Sequence, residues 1–392
     1  MIKVGIVLMP DSNWLGGANY YSNLIHAATT TSGSQIEFVA ITDSNRDISQ
    51  LEAFKCSDVI KTKLLKRFSF AWFLRQVSTK LFKNDFLLSA LLRKYEVDVL
   101  AHSGWLRKNS KIPTIGWIPD FQHVHLPNFF TESELKARNK AFLDTCTLCT
   151  KVIVSSHDAL SDLERFCPEA ISKAVVMQFA VPPRRLGKQL VTLDELKSRY
   201  GFGTPFFLLP NQFWAHKNHQ VVIDAIAILK RRNEHVTVLA TGNTNDYRQP
   251  MFFETLEQQI KSKNIAGEFK ILGMIPKVDL EVLYHHANAI LNPSLFEGWS
   301  TVVEEAKTLR KTIILSDIPI HKEQKPTDGI YFNPKNAEAL ADLLSQHNNV
   351  ENLNDIDNDI NSYKLSKANF NDYGNRYRTI VKQVLKPNTT EI

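Results

Sequence analysis

Short apolar runs alternate along the chain with longer segments in which apolar residues recur at helical spacing. Directly after the apolar run that opens the chain, "GGANYYSNLIHAAT" has this helical period. In the first half, the runs that we predict as strands cover residues 3–10, 36–42, 97–104, 112–120 and 150–156. Strands that alternate with helices in this way are typical of a parallel, doubly wound sheet.

A second series of strands and helices follows an interruption at "VPPRRLGKQLV", residues 181–191. This stretch combines prolines and a glycine with Arg184 and Arg185, and we predict that it is a hinge. Helical segments such as "NHQVVIDAIAILKRR" lie between the later apolar runs. Those later runs are predicted strands at residues 205–210, 235–241, 269–273, 288–294 and 312–317.

We therefore predict an α/β protein with two Rossmann-like, doubly wound domains that face a central cleft. The N-terminal domain is predicted at residues 1–187 and the C-terminal domain at residues 188–370. Residues 371–392 are predicted to form a last helix that packs back toward the N-terminal domain. Ligands of such sheets bind beyond the carboxyl ends of the strands, so we expect the functional residues to follow strand ends.

Composition agrees with a folded protein of two domains. The 392 residues exceed the length at which a single core usually stops growing, and 43% of them are hydrophobic. The net charge of +6 fits an anionic small molecule, an anionic membrane face or nucleic acid equally well. Because no apolar run approaches a membrane span and no signal peptide precedes the first strand, we expect a cytoplasmic protein with reduced thiols.

The stretch "NPSLFEGWSTVVEEAK", residues 292–307, places carboxylates on both sides of a strand-to-helix turn. Glu297 follows the strand, and Thr301 with Glu304 fits a capping box at the helix start. Glu305 is rotated about 100° from Glu304 around the helix axis and is free to point elsewhere. Unpaired backbone donors that suit a phosphate are expected at Ser300, Thr301 and Val302. Solvated glutamates on a helix face are an equally good interpretation of this stretch alone.

A second polar loop, "PNQFWAHKNH", follows the predicted strand at residues 205–210. Lys217 is placed where an ammonium group can meet a diphosphate at a strand end. A fixed cation there stabilises the negative charge that grows on a leaving nucleoside diphosphate. An exposed basic loop is the alternative, although the neighbouring Phe213 and Trp214 argue against full exposure.

Together these two stretches resemble the GT-B fold glycosyltransferases of family 4, the "group 1" family. The resemblance covers nearly the whole chain and is most specific in the second half. It implies that Glu297 faces the hydroxyls of the donor sugar and that Glu305 contacts the ribose of the nucleotide. It also implies that Lys217 contacts the diphosphate. Gln212 stands where the family usually has an arginine, so His216 or Asn211 is expected to share that role.

The resemblance also covers two segments whose backbone is expected to contact the ligand. Met274 and Ile275, in "LGMIP", match the segment whose backbone cradles the base. Gly16 and Gly17 match the glycine loop after the first strand, where the backbone approaches the diphosphate or the acceptor. The pair is not a GxGxxG fingerprint, which argues against a dinucleotide enzyme.

In the first half, "WIPDFQHVHLPNFF", residues 117–130, follows a predicted strand end. By resemblance, Asp120 lies near the reacting carbon, and His123 or His125 takes the place of the histidine that the family often carries there. A zinc site at His123 and His125 lacks an evident third ligand, and packed histidines remain the alternative, so no metal is expected.

Residues 61–83, "KTKLLKRFSFAWFLRQVSTKLFK", combine lysines with aromatic residues and contain no acidic residue. A basic amphipathic helix with aromatic residues is typical of a membrane interface. A helix packed on the core with a solvated basic face is the equal alternative. Nucleic-acid binding is not expected, because no recognised binding motif accompanies the segment.

The resemblance implies a retaining, metal-independent hexosyltransferase without a cofactor. The expected donor is a nucleotide sugar, with GDP-mannose favoured by the subgroup resemblance. The expected acceptor is a glycan or a lipid-linked saccharide in bacterial surface polysaccharide assembly, at the inner face of the plasma membrane. A nucleotide-sugar epimerase and a catalytically inactive subunit of a polysaccharide-synthesis complex are the alternatives.

Overall fold

The structure is a computed structural model of the chain. It describes residues 1–9, 15–30, 35–102, 104–183, 191–348 and 356–386. The predicted hinge residues Arg184 and Arg185, and the predicted domain boundary at 187, lie outside the described residues. Contacts divide the chain into an N-terminal unit of residues 1–121, 132–182 and 367–392 and a C-terminal unit of residues 122–131 and 183–366.

The N-terminal unit contains a parallel sheet of seven strands in the order β3-β2-β1-β4-β5-β6-β7. The strands are β1 (Ile2–Val7), β2 (Ile36–Asp43), β3 (Asp58–Thr62), β4 (Val99–His102), β5 (Thr114–Ile118), β6 (Lys151–Val154) and β7 (Ala174–Val176). Its helices are α1 (Leu15–Thr30), α2 (Phe70–Phe82), α3 (Phe86–Lys94), α5 (Glu132–Leu148) and α6 (His157–Phe166). The strands are apolar and mostly buried, as expected for a parallel sheet that helices cover on both faces.

The C-terminal unit contains a second parallel sheet, of six strands in the order β10-β9-β8-β11-β12-β13. The strands are β8 (Phe207–Leu209), β9 (Val238–Thr241), β10 (Phe269–Gly273), β11 (Ile290–Asn292), β12 (Ile313–Ser316) and β13 (Gly329–Phe332). The helices are α4 (Gln122–His125), α7 (Leu193–Tyr200), α8 (His219–Arg231), α9 (Phe252–Ser262), α10 (Lys277–His286), α11 (Thr301–Thr308), α12 (Pro319–Gln324) and α13 (Ala337–His347).

The last helix, α14 (Ile356–Leu385), belongs to the C-terminal unit at its start and to the N-terminal unit from residue 367. Within the N-terminal unit, the ring of Tyr377 stacks on Phe38 of β2 with centroids 5.8 Å apart. Gly374 passes so close to α1 that a Cβ atom there would lie 2.0 Å from the carbonyl oxygen of Ala27. Only a glycine permits this approach of the two helices.

The predicted fold class is confirmed, since both sheets are parallel and strands alternate with helices. Each of the ten strands that the apolar pattern predicted is present, with ends within a few residues of the prediction. The pattern missed β3, β7 and β13, which have three to five residues and are mostly half-buried or exposed.

Buried histidines in both units predict how stability depends on pH. Burial lowers the pKa of His102, at the end of β4, to about 3, and it lowers the pKa of His219 in α8 to about 3 as well. The unfolded chain takes up these protons near pH 6.5, whereas the folded chain does so only near pH 3. The contribution of these histidines to the free energy of unfolding is therefore fully present above pH 6.5. Below that value, each histidine lowers the free energy of unfolding by about 1.4 kcal/mol per pH unit.

We expect the apparent melting temperature to fall between pH 6.5 and pH 4.5, and the fall to be shallower in His102→Asn. Asparagine tolerates the backbone at this position, where φ is +65°, but its amide is too short to reach Tyr20, so the 2.8 Å hydrogen bond of the ring is lost at every pH. Differential scanning calorimetry at several pH values measures the slope. An equal slope in the variant would show that His102 does not contribute to it.

Candidate active site

The carboxyl end of the sheet in the C-terminal unit holds a buried ion pair between two strand-end loops. Lys217 follows β8 and Glu297 follows β11, and the Lys217 Nζ atom lies 2.7 Å from Glu297 Oε1. The Ser294 hydroxyl donates to the same carboxylate oxygen at 2.7 Å. Among the described residues, Glu297 Oε2 accepts no hydrogen bond, and the Lys217 ammonium makes no other one. The pair therefore keeps a carboxylate oxygen and two N–H groups available to a ligand.

Asn292, the last residue of β11, connects the surrounding polar groups. Its Nδ2 atom donates to Ser300 Oγ at 2.8 Å and lies 3.2 Å from His321 Nε2. Its Oδ1 atom accepts from Asn211 Nδ2 at 3.2 Å and lies 3.0 Å from Ser294 Oγ. Because Asn292 is completely buried, this network fixes the loop that carries Glu297.

The helix start after Glu297 differs from the prediction. Ser300, and not Thr301, is the N-cap residue, and its side chain accepts from the Val303 amide. The predicted capping box of Thr301 and Glu304 is therefore wrong, because Glu304 lies one residue beyond the position that such a box requires.

Gln324 takes the reciprocal role at this helix start. The Ser300 amide donates to Gln324 Oε1 at 3.1 Å, so it is not one of the predicted unpaired donors. The amides of Thr301 and Val302 have no partner among the described residues, and they remain candidates to bind an anion.

The two neighbouring glutamates of α11 have different surroundings. Glu304 is buried, accepts from Gln324 Nε2 at 2.9 Å and pairs with Lys307 at 3.0 Å. Burial raises the pKa of its carboxyl group. Glu305 is partly exposed, and its Oε2 atom accepts from the Tyr284 hydroxyl at 2.7 Å. Their positions agree with a structural task for Glu304 and with a Glu305 side chain that turns to another face.

Asn218 holds the loop that carries Lys217 in place. It adopts the left-handed conformation, with φ of +57°, directly before α8. Its Nδ2 atom donates to the carbonyl groups of Pro293 at 3.0 Å and Pro334 at 2.9 Å. One side chain thus connects the loops that follow three strands, β8, β11 and β13.

Gly242 brings the loop after β9 against the same edge. Its φ is +139°, and a Cβ atom there would lie 2.5 Å from the backbone oxygen of Asn211. Gln212, the residue that stands in the expected arginine position, is half-buried beside this contact. His216 is buried, and desolvation together with the Lys217 and Arg248 charges holds its pKa well below the ordinary value. His216 is therefore a neutral group at neutral pH.

Arg248 is a buried cation that the sequence pattern did not reveal. Its guanidinium group lies 4.9 Å from the ring centre of Trp214 and 5.3 Å from that of Phe130. It donates to Gln122 Oε1 at 3.0 Å, and Nη2 lies 3.5 Å from His216 Nδ1. The loop around it, "TGNTNDYRQP", has no periodicity or motif that singles out this arginine. Its Nε atom also lies 3.5 Å from Oδ1 of the buried Asp246, so Arg248 brings a paired positive charge to the loop where the expected arginine is absent.

The remaining predicted residues lie at strand ends or beside them. Met274 is exposed and Ile275 half-buried, directly after β10. Gly16 and Gly17 lie in the first turn of α1, and not in a loop before it. Asp120 follows β5 in the N-terminal unit.

The two histidines of residues 117–130 differ in exposure. His123 is buried in α4, and its ring lies 6.5 Å from that of Phe130. His125 is exposed, with its ring 5.2 Å from Phe296. In the part of the chain that the structure describes, no group of three or more histidine, cysteine or acidic side chains is arranged to hold a metal ion.

The carboxyl end of the sheet in the C-terminal unit can bind an anionic ligand that also carries hydroxyl groups. Lys217 and the amides of Thr301 and Val302 are donors for phosphate, and Glu297 is an acceptor for hydroxyl groups. Two parallel doubly wound sheets with such an edge define the GT-B class of glycosyltransferase folds.

Comparison with known proteins gives a family match for part of the chain. Residues 195–358, less than half of the chain, match the family model described as glycosyl transferases group 1. This region is therefore similar to the group 1 glycosyltransferases, in line with the resemblance seen in the sequence. The chain is 28% identical over 163 residues to the O-antigen chain mannosyltransferase RfbU of Salmonella typhimurium. That match covers 39% of this chain and 44% of RfbU, so less than half of the curated relative is spanned.

Solved structures confirm the fold over the whole chain. A glycosyltransferase from Rickettsia africae aligns with a TM-score of 0.70 and 17% identity, over 98% of this chain and 99% of its own. Anabaena HepE, in complex with UDP and glucose, aligns with a TM-score of 0.62 and 14% identity, over 98% of both chains. At these identities the likeness establishes the GT-B fold and leaves the substrates to be inferred.

Proposed function

We propose that the protein is a retaining, metal-independent glycosyltransferase. It moves a hexose from a nucleotide sugar to a glycan or lipid-linked saccharide during surface polysaccharide assembly. The observation that carries the proposal is the buried pair of Lys217 and Glu297 at the carboxyl end of a parallel sheet, 2.7 Å apart. A cation for the diphosphate and a carboxylate for the sugar hydroxyls are the two groups that a nucleotide-sugar donor requires there.

The relatives support both parts of the proposed substrate. RfbU is named as an O-antigen chain mannosyltransferase, which favours GDP-mannose as donor and a surface glycan as product. HepE was crystallised with UDP and glucose, which supports a nucleotide-sugar donor in this fold.

The proposed chemistry assigns one task to the donors that face the diphosphate and another to the carboxylate that faces the sugar. As the bond between the anomeric carbon and the diphosphate oxygen breaks, negative charge grows on the leaving diphosphate. Lys217 and the amides of Thr301 and Val302 stabilise that charge in a buried setting where it is strongly felt. Glu297 Oε2 accepts a hydrogen bond from a hydroxyl of the sugar and holds the ring in place. The acceptor hydroxyl then attacks the anomeric carbon from the face that the diphosphate has left, and its proton passes to the departing diphosphate oxygen.

Two residues of the stretch 117–130 are proposed to act on the acceptor. Asp120, which follows β5, and the buried His123 are the residues that we assign to the reacting hydroxyl. Arg248 is proposed to supply the positive charge that the arginine at position 212 supplies in the family. Its place beside His216 supports this assignment.

Turnover of a panel of GDP-, UDP- and dTDP-sugars, followed by product chromatography, tests the proposal. We expect release of the nucleoside diphosphate with one donor, slowly to water and faster with a saccharide acceptor. An isomerised donor would identify an epimerase. Failure to bind any donor would identify an inactive subunit, and either result would overturn the proposed function.

Thermal-shift measurements with nucleoside diphosphates test the donor site, because a ligand that binds the native state raises its melting temperature. We expect Glu305→Ala to lose most of this shift, measured against its own basal melting temperature, which falls as well because the buried Tyr284 hydroxyl loses its acceptor. Glu304→Ala is expected to keep the shift but to lower basal stability by about 1–3 kcal/mol, because Gln324 and Lys307 lose a buried partner.

Tyr284→Phe is the matched control for this experiment. It removes the 2.7 Å hydrogen bond to Glu305 Oε2 but leaves the carboxylate in place, so the ligand-induced shift is expected to persist. If Glu304→Ala lost the shift and Glu305→Ala did not, the assignment of the two helix faces would be wrong.

A further inference from the structure

Helix α2 turns an apolar face toward solvent. Phe70, Phe73, Leu74 and Leu81 lie at helical spacing on one side of it, and they are 77%, 57%, 41% and 71% exposed. Helices of globular proteins normally bury such a stripe against the core. We call these four side chains the α2 face.

The opposite side of α2 is held by polar contacts. The only buried residue of the helix is Ser78, which donates to the backbone oxygen of Asn84. Arg75 Nε lies 2.7 Å from the buried Asp85, and Ser69 caps the first turn. The helix is thus fixed by its polar side, and its apolar side is not needed to attach it to the N-terminal unit. The alternative of a core-packed helix with a solvated basic face is therefore wrong for this segment.

Further exposed aromatic side chains flank the α2 face. Phe68, in the turn before the helix, is 85% exposed and has a backbone φ of +65°, which is unusual for a bulky residue. Phe82 at the helix end is 69% exposed, and Phe86 at the start of α3 is 50% exposed. Seven large apolar side chains between residues 68 and 86 are therefore exposed, a concentration that marks an interaction surface.

The charge around this surface selects the kind of partner. Residues 61–83 contain seven lysines and arginines and no acidic residue. Arg75 and Lys83 pair with Asp85 and Asp144, whereas Lys61, Lys63 and Lys80 are exposed. A second copy of the chain on the same face would bring like charges together, which opposes a symmetric dimer. A bilayer with anionic lipids offers both the apolar and the negative complement.

We propose that the α2 face docks on the surface of an anionic lipid bilayer. The aromatic and leucine side chains enter the boundary between headgroups and acyl chains, and the flanking lysines meet lipid phosphates. No helix among the described residues is long and apolar enough to cross a membrane, and the proposed contact is peripheral. The proposal stands independently of the transferase chemistry, because it uses none of the residues of the candidate active site.

Co-sedimentation of the full chain with vesicles tests this docking. We expect binding to phosphatidylcholine vesicles that contain about a third phosphatidylglycerol, and at least tenfold weaker binding of Phe70→Gln/Phe73→Gln/Leu81→Gln. Since these side chains are exposed, the melting temperature of the variant should match that of the wild type. Leu143→Gln/Leu365→Gln, which replaces two leucines that are 45% and 65% exposed on other helices, should bind as the wild type does.

A charge variant, Lys61→Gln/Lys63→Gln/Lys80→Gln, should lose most of the dependence of binding on phosphatidylglycerol content and on salt. Absence of wild-type binding to anionic vesicles at low salt would overturn the proposal. So would a wild-type dimer in light scattering that the aromatic variant converts to a monomer, since a second copy would then cover the face. Hydrolysis of a nucleotide sugar should be equal in wild type and aromatic variant, which separates this test from that of the proposed function.

Discussion

Lys217→Met is expected to lower the turnover of the nucleotide sugar at least a hundredfold. The variant keeps the length of the side chain but removes the cation that pairs with Glu297 at 2.7 Å. The leaving diphosphate then loses a donor that acts most strongly in the transition state, and the loss of one such donor typically costs about 2.7–4 kcal/mol. The effect should fall mainly on kcat, because the charge on the diphosphate grows as the bond breaks.

Lys230→Met is the matched control for this variant. Lys230 also pairs with a glutamate of the C-terminal unit, Glu268 at 3.2 Å, but it lies at the end of α8. It should retain wild-type turnover. Steady-state kinetics with the donor identified in the panel compare the two variants. If Lys217→Met raised KM and left kcat unchanged, Lys217 would bind the donor without a special task in the transition state.

Gly374→Ala is expected to destabilise the protein, although alanine normally stabilises a helix by about 1 kcal/mol relative to glycine. The new Cβ atom would lie 2.0 Å from the Ala27 carbonyl oxygen, so α14 must move away from α1. Overpacking of this kind costs about 3 kcal/mol, which corresponds to a drop of about 6–12 °C in the melting temperature of a unit of this size.

Gly267→Ala controls for the substitution itself, because nothing lies within 4 Å of a Cβ atom at that position. Calorimetry is expected to show no loss of stability for Gly267→Ala and a clear loss for Gly374→Ala. An increase in the melting temperature of Gly374→Ala would mean that α14 can separate from α1 without cost.

The sequence predicted the elements whose apolar pattern is strong and missed those that depend on distant partners. Strands such as β4 and β12 are apolar up to their last residue, and their pattern has no other simple interpretation. The N-cap of α11 could not be assigned in this way, because Ser300 and Thr301 are both good capping residues. The choice of Ser300 depends on Gln324, which follows 24 residues later and bonds both its amide and its carbonyl group.

Among the candidate site residues, too, the sequence predicted those with a strong local pattern and missed those that depend on distant partners. Glu297 and Lys217 stand out because each follows an apolar strand, and the parallel sheet brings its strand ends to one edge. Asn292 and Ser294 lay within the same stretch, but their roles depend on hydrogen bonds across several loops. No periodicity or motif in the sequence pointed to Arg248, since its burial comes from aromatic rings at positions 130 and 214.

The arrangement around Glu297 also bears on how donors are told apart. Lys217 and Ser294 share one carboxylate oxygen, so a sugar can engage the other oxygen while both existing bonds remain intact. A sugar whose hydroxyl points the wrong way covers this oxygen without a hydrogen bond, and the lost hydrogen bond to water costs binding free energy. Discrimination between epimeric hexoses would then arise from stereochemistry at a single carbon, with no rearrangement of the protein.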